Sequence, residues 1–160
     1  KAYVVVSLES ATSFHAAYGS PPDYDLDPND NGAPSMLGQI GASAGLANAP
    51  EMIVLFHWDG VSPLVGDLDY VVYGDTSEAM DKTGLTVNNQ TYKSDTSANA
   101  QSPAAKPGAG ESAIRCDPSE GLENKVGGNG RLGHNETSED LASTWSLSLT
   151  PSPGTSNTCP

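Results

Sequence analysis

The stretch Glu51–Gly74, EMIVLFHWDGVSPLVGDLDYVVYG, limits what this chain can fold into more than any other. Met52, Val54, Phe56 and Trp58 alternate with Ile53, Leu55 and His57. Leu68, Tyr70 and Val72 alternate with Asp69, Val71 and Tyr73. Period two among β-branched and aromatic residues predicts two strands. Asp59-Gly60 marks a turn between them, because Gly accepts positive φ and Asp closes its own backbone. The continuous apolar run Ile53–Phe56 predicts a strand buried on both faces. The expected core is therefore Phe56, Trp58, Tyr70 and Val72, joined by Ile114 and Trp145 from later strands.

The rest of the chain is poorer in core-forming residues. Of 160 residues only 36% are hydrophobic and 6% aromatic, and 17 glycines and 12 prolines disfavour long helices. The length suits one domain, expected over residues 1–150 with a tail over 151–160. Lys1–Leu8 reads as a strand, by its Tyr3–Val6 run. Ser10–Tyr18 reads as a short helix capped by Ser10 or Thr12 and ended by Gly19, with Phe14 and Tyr18 on one face and His15 exposed. Ser20–Pro34 is an acidic loop, and a short strand is expected near Leu37–Ile40. Asp75–Gly110 is a long weak region with a short strand at Leu85–Val87, either a functional insertion or a loop tied down by its neighbours. Glu111–Asp117 and Ser143–Thr150 read as strands separated by a polar loop. Short strands between polar turns place the chain in the all-β class and suggest an antiparallel β-sandwich with long polar loops.

The net charge is −13, with eleven acids and one base in residues 1–80 against nine acids and six bases in residues 81–160. That field repels phosphate backbones and anionic lipid, so nucleic acid is excluded as a partner. Divalent cations, basic proteins and neutral glycans fit it. No apolar run is long enough for membrane insertion as a helix. A Gly/Ser/Thr/Asn-rich, lysine-poor acidic chain fits a secreted setting, in which Cys116 and Cys159 pair as a disulfide; in a reducing compartment they stay free.

Asp27-Pro-Asn29-Asp-Asn31-Gly32 places oxygen donors at alternate positions before a Gly, as the first half of a calcium loop does. Gly38 stands where an EF-hand has its bidentate Glu, so Asp23, Asp25 or another loop must complete the set. Calcium on Asp23, Asp25, Asp27, Asn29 and Asn31 is one reading; a solvated Asp/Asn turn is the other. His57, His134, Asp59 and Glu136 can be gathered on paper into a metal or acid–base site, but their spacing matches no zinc pattern. Neither a nucleophile motif nor a P-loop is present, and Gly127–Gly130 reads as a turn. Asn89 and Asn135 open glycosylation sequons, which matter only in a glycosylating host.

Four short motifs, in order, resemble the lamin tail domain family: Phe14-His-Ala-Ala-Tyr18-Gly19 after a Val-rich strand, Asp69-Tyr-Val71-Val-Tyr73-Gly74, Ser112-Ala-Ile114-Arg115, and Trp145 followed by Pro153-Gly154. The resemblance implies an immunoglobulin-like β-sandwich and a non-catalytic structural or interaction module. With the acidic charge, it implies the bacterial extracellular or cell-surface type. The family's opening strands have no counterpart before Lys1, which implies an unfilled place in the sheet. Another chain or copy is expected to complete it by β-augmentation, making the protein a subunit of a surface or fibrous assembly. The alternative is a calcium-dependent glycan- or polymer-binding domain using Trp58, Tyr70, Tyr73 and Tyr92, if these are exposed rather than core.

Overall fold

The computed structural model describes residues 3–36, 45–47, 49–120 and 122–160. Of the described residues, 12% are helical and 26% extended, so the chain is β-rich. The strand expected near Leu37–Ile40 lies outside the described residues. In place of one domain over 1–150, the chain divides into two compact units, Lys1–Leu46 with Pro151–Ser156, and Ala47–Thr150 with Asn157–Pro160.

In the first unit, β1 (Val6–Ser7) pairs in parallel with β2 (Tyr24–Asp25). Helix α1 (Ala11–Tyr18) lies between them in sequence. Ser10 is its N-cap, its side chain accepting from the Ser13 N–H, and Gly19 ends it at φ 73°. Phe14 and Tyr18 stack along one face with ring centroids 4.6 Å apart. Tyr3, Val4 and Val6 remain exposed.

The second unit holds β3 (Glu51–His57) and β4 (Gly66–Tyr73), antiparallel from Glu51 opposite Tyr73 to His57 opposite Gly66, with a bulge between Leu55 and Phe56. The turn forms as its residues dictate: Asp59 Oδ1 accepts from the N–H groups of Val61 and Ser62, and Gly60 takes φ 79°. β5 (Thr86–Val87) and β6 (Gln90–Thr91) make a tight hairpin. Its two turn residues, Asn88 and Asn89, both have positive φ, the conformation a two-residue turn needs to follow the strand twist. β7 (Ser112–Arg115) pairs antiparallel with β8 (Trp145–Ser148), preceded by the one-turn helix α2 (Leu141–Thr144). Every sheet among the described residues has two strands.

The core of this unit is Tyr70, Val72, Tyr73, Ala104 and Leu141, with Val54, Val71, Ala79, Met80 and Trp145 packed against it. Ile114 is buried as expected. Phe56 and Trp58, expected in the core, are 54% and 58% exposed. Nor is Ile53–Phe56 buried on both faces: Ile53, Leu55 and Phe56 are all exposed. Among the described residues β3 pairs only with β4, and Val54 alone of its side chains packs against the core. Trp58 falls in the turn after β3, where its indole N–H donates to the Ser62 carbonyl at 2.7 Å.

The weak region 75–110 is not a free loop. Tyr70 Oη donates to Gln101 Oε1 at 2.8 Å and accepts from the Met80 N–H, while the Gln101 amide donates to the carbonyls of Met80 and Thr96. Ala104 exchanges backbone bonds with Val72 and Gly74. One buried tyrosine and one buried glutamine thus organise a segment that lacks regular structure, satisfying its backbone groups as burial requires. The Cys116–Cys159 disulfide is formed across 43 residues and fastens the chain end to the strand end after β7.

Candidate metal centre

The polar loop between β7 and β8 is folded back on itself by glycines. The Gly130 N–H donates to the His134 carbonyl and the Gly128 N–H to the Gly133 carbonyl. A Cβ on Gly128 would sit 2.2 Å from the His134 carbonyl oxygen, and one on Gly130 would sit 2.6 Å from Glu136 Oε1. Only glycine permits this approach, so the run Gly127–Gly130 is more than a turn: it packs the chain against the segment His134–Glu136. The same loop reaches β4, where Asp67 accepts from the Arg131 N–H and donates to the Asn129 carbonyl.

This folding collects acids that are far apart in sequence. One ligand atom from each of Glu120, Glu123 and His134 lies within 4.8 Å of the others. Asp67, Glu120, His134 and Glu136 line a cavity of about 200 Å³ together with Leu68, Arg131 and Leu132. The Glu123 and Asp67 side chains are 1% and 2% exposed. Glu123 Oε1 and Asp67 Oδ1 have no hydrogen-bond partner among the described residues. Their other oxygens are paired: Asp67 Oδ2 with the Lys82 ammonium, Glu123 Oε2 with Lys125 Nζ at 2.5 Å. Beside the cavity, Arg115 makes a bidentate pair with Asp69, at 2.9 and 3.1 Å, and a further bond to Glu139 at 2.5 Å.

Desolvation raises several of the buried acids here. Burial pushes Glu136 up to about 8, with Glu123, Glu120, Asp69 and Asp67 adding to it by like-charge repulsion. Burial also raises Asp67, Asp69 and Glu139, with Lys82 and Arg115 working against it. Lys125 is raised by its bond to Glu123. The two carboxylates and the imidazole of Glu120, Glu123 and His134, grouped beside this cavity, can hold a divalent cation.

His134 and Glu136 are thus brought together, whereas His57 and Asp59 stand at the far end of β3 and its turn, outside the cluster. Glu120 and Glu123 were missed by sequence reasoning. Their only signal was two acids three apart on one side of a glycine run, facing His134-Asn-Glu136 on the other. In the first unit, the acids of the candidate calcium loop accept from backbone N–H groups inside and outside the loop. Asp23 Oδ2 accepts from the Val5 N–H, Asp25 Oδ2 from Ala11, and Asp27 Oδ1 from Asn29. Asn31 is exposed, and its neighbour Asp30 accepts from Thr12 and Gly32. Asp25 is fully buried and its Oδ1 has no partner among the described residues. Of the sequons, Asn89 is exposed in its hairpin turn. Asn135 is held: its side-chain oxygen accepts from Thr137, its amide donates to Thr96, and Thr137 is buried. Of the tyrosines proposed to stack on glycan, Tyr70 and Tyr73 are buried.

No family model, curated protein or solved structure matches this chain. Among the described residues no helix is long and apolar enough to cross a membrane.

Proposed function

We propose that this chain is a non-catalytic interaction module of an extracellular or bacterial cell-surface protein, and that it binds an extended segment of another polypeptide along β3. The observation that carries the reading is the condition of β3. It is the most apolar strand of the chain, yet Ile53, Leu55 and Phe56 are exposed and its outer edge has no partner among the described residues. Such an edge offers unpaired N–H and C=O groups and apolar side chains on both faces, the two things β-augmentation uses. On one face, Ile53, Leu55, Val71 and Trp145 line an apolar cavity of about 230 Å³ that an incoming side chain can fill. Glu51 and Asp59 flank the strand in a chain of net charge −13. That charge disfavours a second copy and favours a partner strand with basic flanks. The four motifs resembling the lamin tail domain family support the same module type, with an immunoglobulin-like sandwich as its complete fold. The disulfide supports an oxidising, extracellular setting.

A lysine-flanked peptide of alternating apolar residues tests the reading. Titrated into the full chain, it is expected to shift and sharpen Trp58 fluorescence, to bind more weakly as salt rises, and to lose binding to a Leu55→Lys variant. A glutamate-flanked peptide is the control. Equal binding by both peptides, or none by either, refutes the proposal.

A second reading, calcium-dependent glycan binding, draws on exposed Trp58 and on the unpartnered Asp25 Oδ1. A glycan array probed with and without calcium separates the two: calcium-dependent spots lost in Trp58→Ala favour the second.

A further inference from the structure

We propose that Glu120, Glu123 and His134 bind one divalent cation of the zinc or manganese class, beside the cavity that Asp67, Glu120 and His134 line. The acids alone are not the argument. Glu123 is buried to 1% of its side chain and Asp67 to 2%, and each keeps one oxygen without any partner among the described residues. A buried carboxylate oxygen left unpaired is costly, and such groups persist where something fills the place.

The geometry says what kind of thing. His134 Nδ1 stands 3.4 Å from Glu123 Oε2, the span of two ligands sharing an ion at bond lengths of about 2.0–2.2 Å. Lys125 Nζ sits between the two carboxylates, 2.5 Å from Glu123 Oε2 and 3.4 Å from Glu120 Oε2. A cation already occupies that position, and it is an ammonium on a side chain 48% exposed, free to swing into solvent. The ion would take the place of Lys125 and return it to water. The donor set chooses among ions. Two carboxylates and an imidazole suit first-row transition cations, whereas calcium asks for six to eight oxygens. No thiolate competes, because both cysteines lie in the disulfide. The glycines of 127–130 are the reason the site can exist, since they bring His134 onto the acids.

This site lies away from the β3 edge and does not depend on the partner reading. The full chain, freed of metal with a chelator, is titrated with zinc chloride and separately with manganese chloride by calorimetry, and melted with each. Binding of one equivalent and a raised Tm are expected, with calcium chloride at the same concentration giving neither. His134→Gln and Glu123→Gln are expected to weaken binding about tenfold or more. Lys125→Met removes the competing ammonium, does not disturb buried packing, and is expected to tighten binding. No binding of either metal by the parent chain overturns the proposal. So does binding that is unchanged in a His134→Gln variant with parental near-ultraviolet circular dichroism, or binding weakened by Lys125→Met.

Discussion

β3 and β4 are hydrogen-bonded neighbours with opposite fates. β3, EMIVLFH, carries five adjacent large apolar residues, and most of it is open to solvent. β4, GDLDYVVY, contains two aspartates, and Asp67, Tyr70, Val72 and Tyr73 are all buried in it. Apolarity alone predicts the reverse. What differs is the cover. β4 receives Gln101 and Ala104 from one loop, Arg131 from another, Leu141 from α2 and Trp145 from β8. β3 has β4 as its one strand partner among the described residues, with Trp145 at the edge of one face. Burial is a property of what packs on a strand, and polar loops organised by a few hydrogen bonds serve as cover as well as a second sheet does.

The comparison is most easily broken by truncation. Tyr70→Ala removes a buried ring together with bonds to Gln101 and Met80, and is expected to cost about 3–5 kcal/mol in urea unfolding. Phe56→Ala, one strand over, is expected to stay within about 0.5 kcal/mol. Equal losses would mean that β3 is covered in solution. Next in size is the disulfide, which ties down the β7 flank beside β4 and does not touch β3. Replacing Cys116 and Cys159 by Ser is expected to cost up to about 4 kcal/mol in the chain-entropy estimate for a loop of this length. Limited proteolysis of the variant should cut near 116–160 before it cuts β3; the opposite order would place the weak point in β3.

The smallest effect concerns protons. Burial raises the phenol of Tyr70, and that of Tyr73 too. An unfolded tyrosine ionises near 10, so above that pH the native state holds a proton that the unfolded chain gives up. Stability is therefore full below about 10 and falls as pH rises through the folded value. Tyr70→Phe should flatten that fall, and absorbance at alkaline pH should show Tyr70 and Tyr73 ionising above the ordinary tyrosine range. Ionisation of both within the ordinary range, below the unfolding transition, would show that β4 is not sealed.

Local chemistry was legible in the sequence. Alternation gave both long strands within a residue or two, Ser10 and Gly19 bounded α1, and Asp59-Gly60 turned the chain. These depend on contacts a few residues apart, which side-chain type determines directly. The cysteine pairing was also within reach, because only one intramolecular pair is possible. Tertiary structure decided the rest. The division into two units, the exposure of Phe56 and Trp58, the anchoring of 75–110 on Tyr70 and Gln101, and the meeting of Glu120, Glu123, Asp67 and His134 all join residues separated by ten to several tens of positions. Such meetings have no periodicity to announce them. They are chosen by which loops can satisfy their backbone groups while covering an apolar strand, and by where glycine lets two backbones touch.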